Sequence, residues 1–211
     1  MSENNNSYDN FEISMRKSSV IQERVNLVSV HMYKQYLDYQ HANLNTQEMF
    51  IKMIEYLDET VNFLKQYFSG RGISSENIYY QMDDKRTIIR LNILWHTISF
   101  ITKCNDKPQA LFRGENLEPM FSGRIMALNG DYEEIINKKG DYNSDFAKLL
   151  EHEVASLYCP AEKGKSSIIK IRHLGNRDFY ISQIDAPREF LLKVIETICG
   201  GGCFHEEGFK N

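Results

Sequence analysis

Gln109-Ala110-Leu111-Phe112 carries a short apolar run straight onto Arg113, Gly114 and Glu115. An arginine in that setting suits an anionic ligand such as a pyrophosphate. Its planar guanidinium meets two phosphate oxygens at once. A following glycine, lacking Cβ, lets the backbone approach the ligand closely. Other residues offer different chemistry. Cys199, Cys203 and His205 fall within zinc-ligand spacing, but only three ligands are evident, and the glycines between them read better as a turn into a flexible tail. Glu151-His152-Glu153 departs from the zincin pattern, and on a helix its two carboxylates face different ways. Cys159 with His173 or His152 is a nucleophile–base pairing that spacing leaves open, because such partners need not be sequence neighbours.

The 211 residues suit one domain able to bury a core. At 42% hydrophobic and 26% charged, the chain has the composition of a soluble globular protein. A net charge of -4, with no run of basic residues, argues against nucleic acid as the main partner. No stretch is apolar for long enough to span a membrane. The polar start, Met1 to Asp9, does not resemble a signal peptide. The four cysteines are therefore expected as reduced thiols in a cytosol-like compartment.

The elements that must position these residues follow from periodicity. A polar leader over 1–17 is expected to be disordered or loosely held, and a single α+β domain is expected over 18–211. Its first part, 18–105, reads as helical. Val20, Ile21, Val25, Val28, Met32, Tyr36 and Leu37 recur at spacings of three and four. Asn45 with Glu48 resembles a capping box opening a second stripe, Phe50, Met53, Ile54, Leu57, Val61, Leu64 and Phe68, which Ser69-Gly70 stops. A third helix is expected over about 85–102. Next come a short strand over 109–112, helices over 116–127 and 131–137, and an amphipathic helix over 145–158 with Asn143 or Ser144 as N-cap. Three strand-like runs close the chain, at 167–171, 178–181 and 189–195, with turn chemistry between them.

Those last runs read Ile168-Ile169-Lys170-Ile171-Arg172-His173-Leu174-Gly175, then Phe179-Tyr180-Ile181, then Arg188-Glu189-Phe190-Leu191-Leu192. With Arg113-Gly114 upstream, the chain resembles the bacterial-toxin type of mono-ADP-ribosyltransferase, whose signature is an arginine, a serine motif and a glutamate. The specific part of the resemblance is about forty residues plus the Arg-Gly pair. It implies a compact mixed two-sheet core over 106–200 with helices packed against it, and a tail over 201–211. It implies NAD as substrate and a protein acceptor, in a host cell if the protein is an effector, with no nucleic acid and no membrane span. Arg113 would hold the NAD phosphates and the backbone at Gly114 would meet the nicotinamide amide. Glu189 would stabilise the oxocarbenium-like ribose as that bond breaks, with Ser144 orienting it. Ser156 and Ser166-Ser167 are rivals for the serine, and no metal is implied. The location implied is the cytoplasm, or a host cytosol reached without a signal peptide.

The sequence departs from the family at Pro187, two positions before Glu189, where arginine-directed enzymes carry a second glutamate. A proline has no acceptor for an incoming guanidinium. The target is then not arginine, or Asp185 or Gln183 takes over, or transfer is lost. The loop 182–188 is where the resemblance puts recognition of the protein target. Simpler roles stand beside these: a strand-end ion pair for Arg113, a solvated glutamate for Glu189 and a helix cap for Ser144. A non-catalytic effector or binding module is the alternative function, and a cysteine-dependent hydrolase a further one.

Overall fold

The computed structural model describes residues 5–102, 109–112, 119–140, 144–162, 164–172 and 177–200, with side chains described for 19–102 and, from 123 onward, within those ranges. The chain divides into two compact units, Met1–Asp38 and Tyr39–Asn211. One helix, α1 (Asn5–Ser69), runs through the boundary and takes in residues 5–17, read from the sequence as a leader. Neither glycine nor proline interrupts those 65 residues, so nothing forces a break. Asn45 does not open a second helix. Its Nδ2 donates to the carbonyls of Pro160 and Ala161, at 2.8 and 3.1 Å, and ties α1 to a strand end. The helix stops where Gly70 and Gly72 follow, the latter at φ 74°.

The second unit is built on one antiparallel sheet. Its strands are β1 (Ile78–Met82), β2 (Ile88–Ile93), β3 (His96–Ile101), β4 (Gln109–Phe112), β5 (Pro119–Asn129), β6 (Glu153–Pro160), β7 (Ser167–Ile171) and β8 (Arg177–Ile181). They are ordered β1-β2-β3-β5-β6-β7-β8, and β4 also pairs with β5. The α+β class holds. The two-sheet core does not, because the 11-residue β5 takes β4 and β3 in tandem on one edge and β6 on the other, joining all eight strands. Helices α2 (Tyr132–Asn137) and α3 (Asp145–His152) lie between β5 and β6, and α4 (Ala186–Cys199) follows β8.

Several expected elements change type. The expected third helix over 85–102 is the β2–β3 hairpin. Ile89, Leu91 and Ile93 enter the core at a period of two, and Asp83 accepts from the amides of Thr87 and Ile88 to hold its entry. The helix expected over 116–127 is, from Pro119 on, β5, where Ile125 and Ala127 share one face and Met126 and Leu128 the other. The helix expected over 145–158 ends at His152, and Val154 and Leu157 belong to β6. The strand expected over 189–195 is α4: Pro187 sits in its first turn, where a missing N–H is harmless, and Phe190, Leu191 and Val194 are buried at helical spacing. The strands expected at 109–112, 167–171 and 178–181 are present as β4, β7 and β8.

Alternation in β5 separates two cores. Ile125 and Ala127 face one cluster, Met126 and Leu128 the other, so the clusters lie on opposite faces of the sheet. The larger is covered by Met49, Phe50, Met53, Leu57 and Val61 of α1 and by Phe190, Leu191 and Val194 of α4. The smaller is covered by Ile135 of α2 and Leu149 of α3.

Candidate functional site

Arg113 and Gly114 lie outside the described residues, as do His173, Cys104, Cys203 and His205. Ser144 is the N-cap of α3, and its exposed hydroxyl accepts from the amide of Ala147 at 3.3 Å. Glu189 does not open a strand. It lies in the first turn of α4, 20% exposed, where a carboxylate complements the helix dipole, and it pairs with Arg188 at 3.3 Å. The helices carrying Ser144 and Glu189 cover opposite faces of the sheet, so the two residues are not brought into one cleft. The rivals are committed elsewhere. Ser156 is buried among charges, and the Ser167 hydroxyl is buried 3.8 Å from the Met49 sulfur. Asp185 bonds to Ser182 at the start of α4, and Gln183 donates to the Glu162 carbonyl.

The densest polar group lies on the α2–α3 face. Between Ala127 and Leu128 the β5–β6 register shifts, so Leu128 pairs with Glu153 while Ala127 pairs with Ala155. The irregularity re-aims Glu153 to the side of Ser156, three residues on. Arg124, on β5, then donates through Nη2 to Glu153 Oε1 and through Nε, at 2.7 Å, to Ser156 Oγ, which itself donates to Glu153. Arg172 Nε lies 2.7 Å from the other Glu153 oxygen. Arg124 and Glu153 are each only 3% exposed. The Arg124 guanidinium is also 5.5 Å from the Tyr158 ring centre and 6.0 Å from that of Phe146. Burial is the main force raising the Tyr158 phenol pKa, and Arg124 opposes it. Two arginines share the single Glu153 carboxylate, so each cation sits against an anion, which is the pattern of a structural ion-pair network. Arg124 within the apolar run that ends β5, and Glu153 before Val154-Ala155, carried the sequence signal: a lone charge in an apolar run is buried only if paired.

The cysteines do not supply a nucleophile among the described residues. Cys159 is fully buried and burial pushes its thiol up to about 12, against which a hydrogen bond to Thr46 acts weakly. Cys199 is pushed up to about 11 by the same cause. A reactive thiol needs a lowered pKa and access; both thiols are raised, with Cys159 buried and Cys199 half-buried.

What stands out on the first unit is apolar and exposed. Between Val20 and Tyr36 nine large apolar side chains are 47–69% exposed. Ile21, Val25, Val28, Met32 and Tyr36 fall within about 80° of the circumference at 100° per residue, a narrow stripe along one side of α1. The same residues marked the first helical stripe in the sequence. No helix among the described residues is long and apolar enough to cross a membrane.

No family model, curated protein or solved structure matches this chain.

Proposed function

We propose that this protein works by binding, as a non-catalytic interaction module whose contact surface is the apolar stripe on α1. The observation that carries this reading is the exposure of Ile21, Val25, Val28 and Met32 on one side of a helix. A stripe of that kind is ordinarily buried against something. The described part of the chain adds no cluster that would perform a reaction: its dense charges are tied to one another in ion pairs, Cys159 is buried and Cys199 half-buried. The test is a photo-crosslinking residue at position 25, compared with one at Asn26, on another side of the helix, in the cell that makes the protein. Position 25 is expected to give discrete adducts and position 26 far fewer. Equal yields at the two positions would end the reading.

ADP-ribose transfer from NAD to a protein side chain is the second reading. One observation favours it: β7 and β8 form a hairpin where the resemblance expects two strands, in register from Ser167 with Ile181 to Ile171 with Arg177. The helical setting of Glu189, and its separation from Ser144 by the sheet, weigh against it. Incubation with labelled NAD and a cell lysate is expected to label no protein above the level of a Glu189→Ala control. A band that is present with the natural chain and lost with Glu189→Ala or Arg113→Ala reverses the order of the two readings.

A further inference from the structure

We infer that the occupant of the α1 stripe is a second copy of this chain, the helices of two or more copies packing side by side over residues 20–36. This rests on the interaction reading and names its partner. Ile21, Val25, Val28 and Met32 are spaced four, three and four apart. That is the a/d spacing by which helices pack knobs into holes in a coiled coil, and it suits another helix better than a flat surface or an extended peptide.

Charge selects among helical partners. Residues 19–38 hold two acids, Glu23 and Asp38, and two bases, Arg24 and Lys34. A copy of the segment therefore meets no net repulsion from itself. An acidic or basic partner helix gains nothing from a segment whose charges cancel. An anionic lipid surface calls for a polar side rich in Lys and Arg. Here the residues flanking the stripe are Arg24, His31 and Gln35 on one side, and Gln22 and Ser29 on the other. The rim is nearly neutral and carries no device against self-pairing.

Area agrees. Ile21, Val25, Val28, Met32 and Tyr36, at 54–62% exposure and about 150–200 Å² each when free, expose roughly 500 Å² per copy. Covering them on each of two copies gives about 1,000 Å², the lower bound for a specific interface. Leu27 and Val30 lie off the stripe and are also exposed. Packing along the stripe leaves them uncovered, together with Asn26 on the same side of the helix.

The full chain is measured by light scattering on a sizing column over a range of micromolar concentrations. The expected result is a particle of at least twice the chain mass. Val25→Asp with Val28→Asp is expected to bring it to the chain mass, and Asn26→Asp is expected to leave it unchanged. Amide hydrogen exchange over residues 20–36 of the natural chain is expected to slow as concentration rises, which needs no variant and guards against a misfolded one. A natural chain that stays at the chain mass, with exchange independent of concentration, overturns self-association. So does a multimer that survives the double substitution. Crosslinks at position 25 whose masses are not multiples of the chain also overturn it, while leaving the interaction reading in place. Loss of the position 25 adducts altogether removes both.

Discussion

Replacing Glu153 with alanine is expected to cost about 3–5 kcal/mol of stability, the usual consequence of stripping one partner from a buried ion pair. That is a large share of the roughly 5–15 kcal/mol that holds a domain folded. The cause is the burial of Arg124. Its side chain is 4% exposed and makes a charged contact with Glu153 Oε1. Arg172, by contrast, has a side chain 45% exposed and reaches the same carboxylate from the solvent side. Arg172→Ala is therefore expected to cost no more than about 1 kcal/mol. A urea titration reads both as shifts in midpoint at constant slope. Combining Arg124→Met with Glu153→Leu removes both charges together, so its cost is expected to fall short of the sum of the single losses by about 1–3 kcal/mol. If Glu153→Ala costs under about 1 kcal/mol, or the two losses simply add, the cluster does not hold this face of the sheet.

The second large effect is steric. A Cβ on Gly123 would stand 1.8 Å from Thr46 Oγ1, 2.8 Å from the Ala42 carbonyl oxygen and 2.9 Å from Thr46 Cβ. None of these atoms has room to yield. Thr46 is buried, and its hydroxyl donates to the Ala42 carbonyl at 2.7 Å. Gly123→Ala must then lift α1 off β5 and loosen the Met49, Phe50 and Met53 contacts that cover the larger core. The expected cost is about 3 kcal/mol or more, the upper range for overpacking a close contact. Thr46→Ala removes the nearest atom but leaves the Ala42 carbonyl, so the double variant is expected to recover only part of the loss. Thermal unfolding of the two variants separates the contributions. A Gly123→Ala protein within 1 kcal/mol of the natural one would falsify the close approach of helix and strand at this point.

Both effects depend on features that periodicity conveys unevenly. The stripe Phe50, Met53, Leu57 and Val61 was legible as a helix face, and it is the face that packs on the sheet. Ser144 was legible as a cap, and β4, β7 and β8 as strands. The β2–β3 hairpin was not, because Ile88, Leu91, Trp95 and Ile98 also fit a helical spacing while Ile89, Leu91 and Ile93 fit a strand. Local pattern satisfies both, and pairing with β1 and β5 decides. The run Phe190 to Ile195 is ambiguous in the same way, since a short apolar run serves a buried strand or a helix face equally. Here Pro187, with Ser182 and Asp185 bonded ahead of it, starts a helix, and the position of Glu189 changes with it.

By itself the sequence determined which side chains are apolar enough to need cover, that Ser144 caps a helix, and that helices and strands share the chain. Tertiary structure decided which of those side chains meet. A register shift opposite Ala127 and Leu128 turns Glu153 toward Arg124, and the helices that carry Ser144 and Glu189 pack on opposite faces of the sheet. Sidedness in a sheet has a period of two, so one extra residue in one strand reassigns partners on the scale of the whole face. No local spacing records that choice. The α1 stripe is the complementary case: its pattern calls for cover, and Ile21, Val25, Val28 and Met32 are exposed.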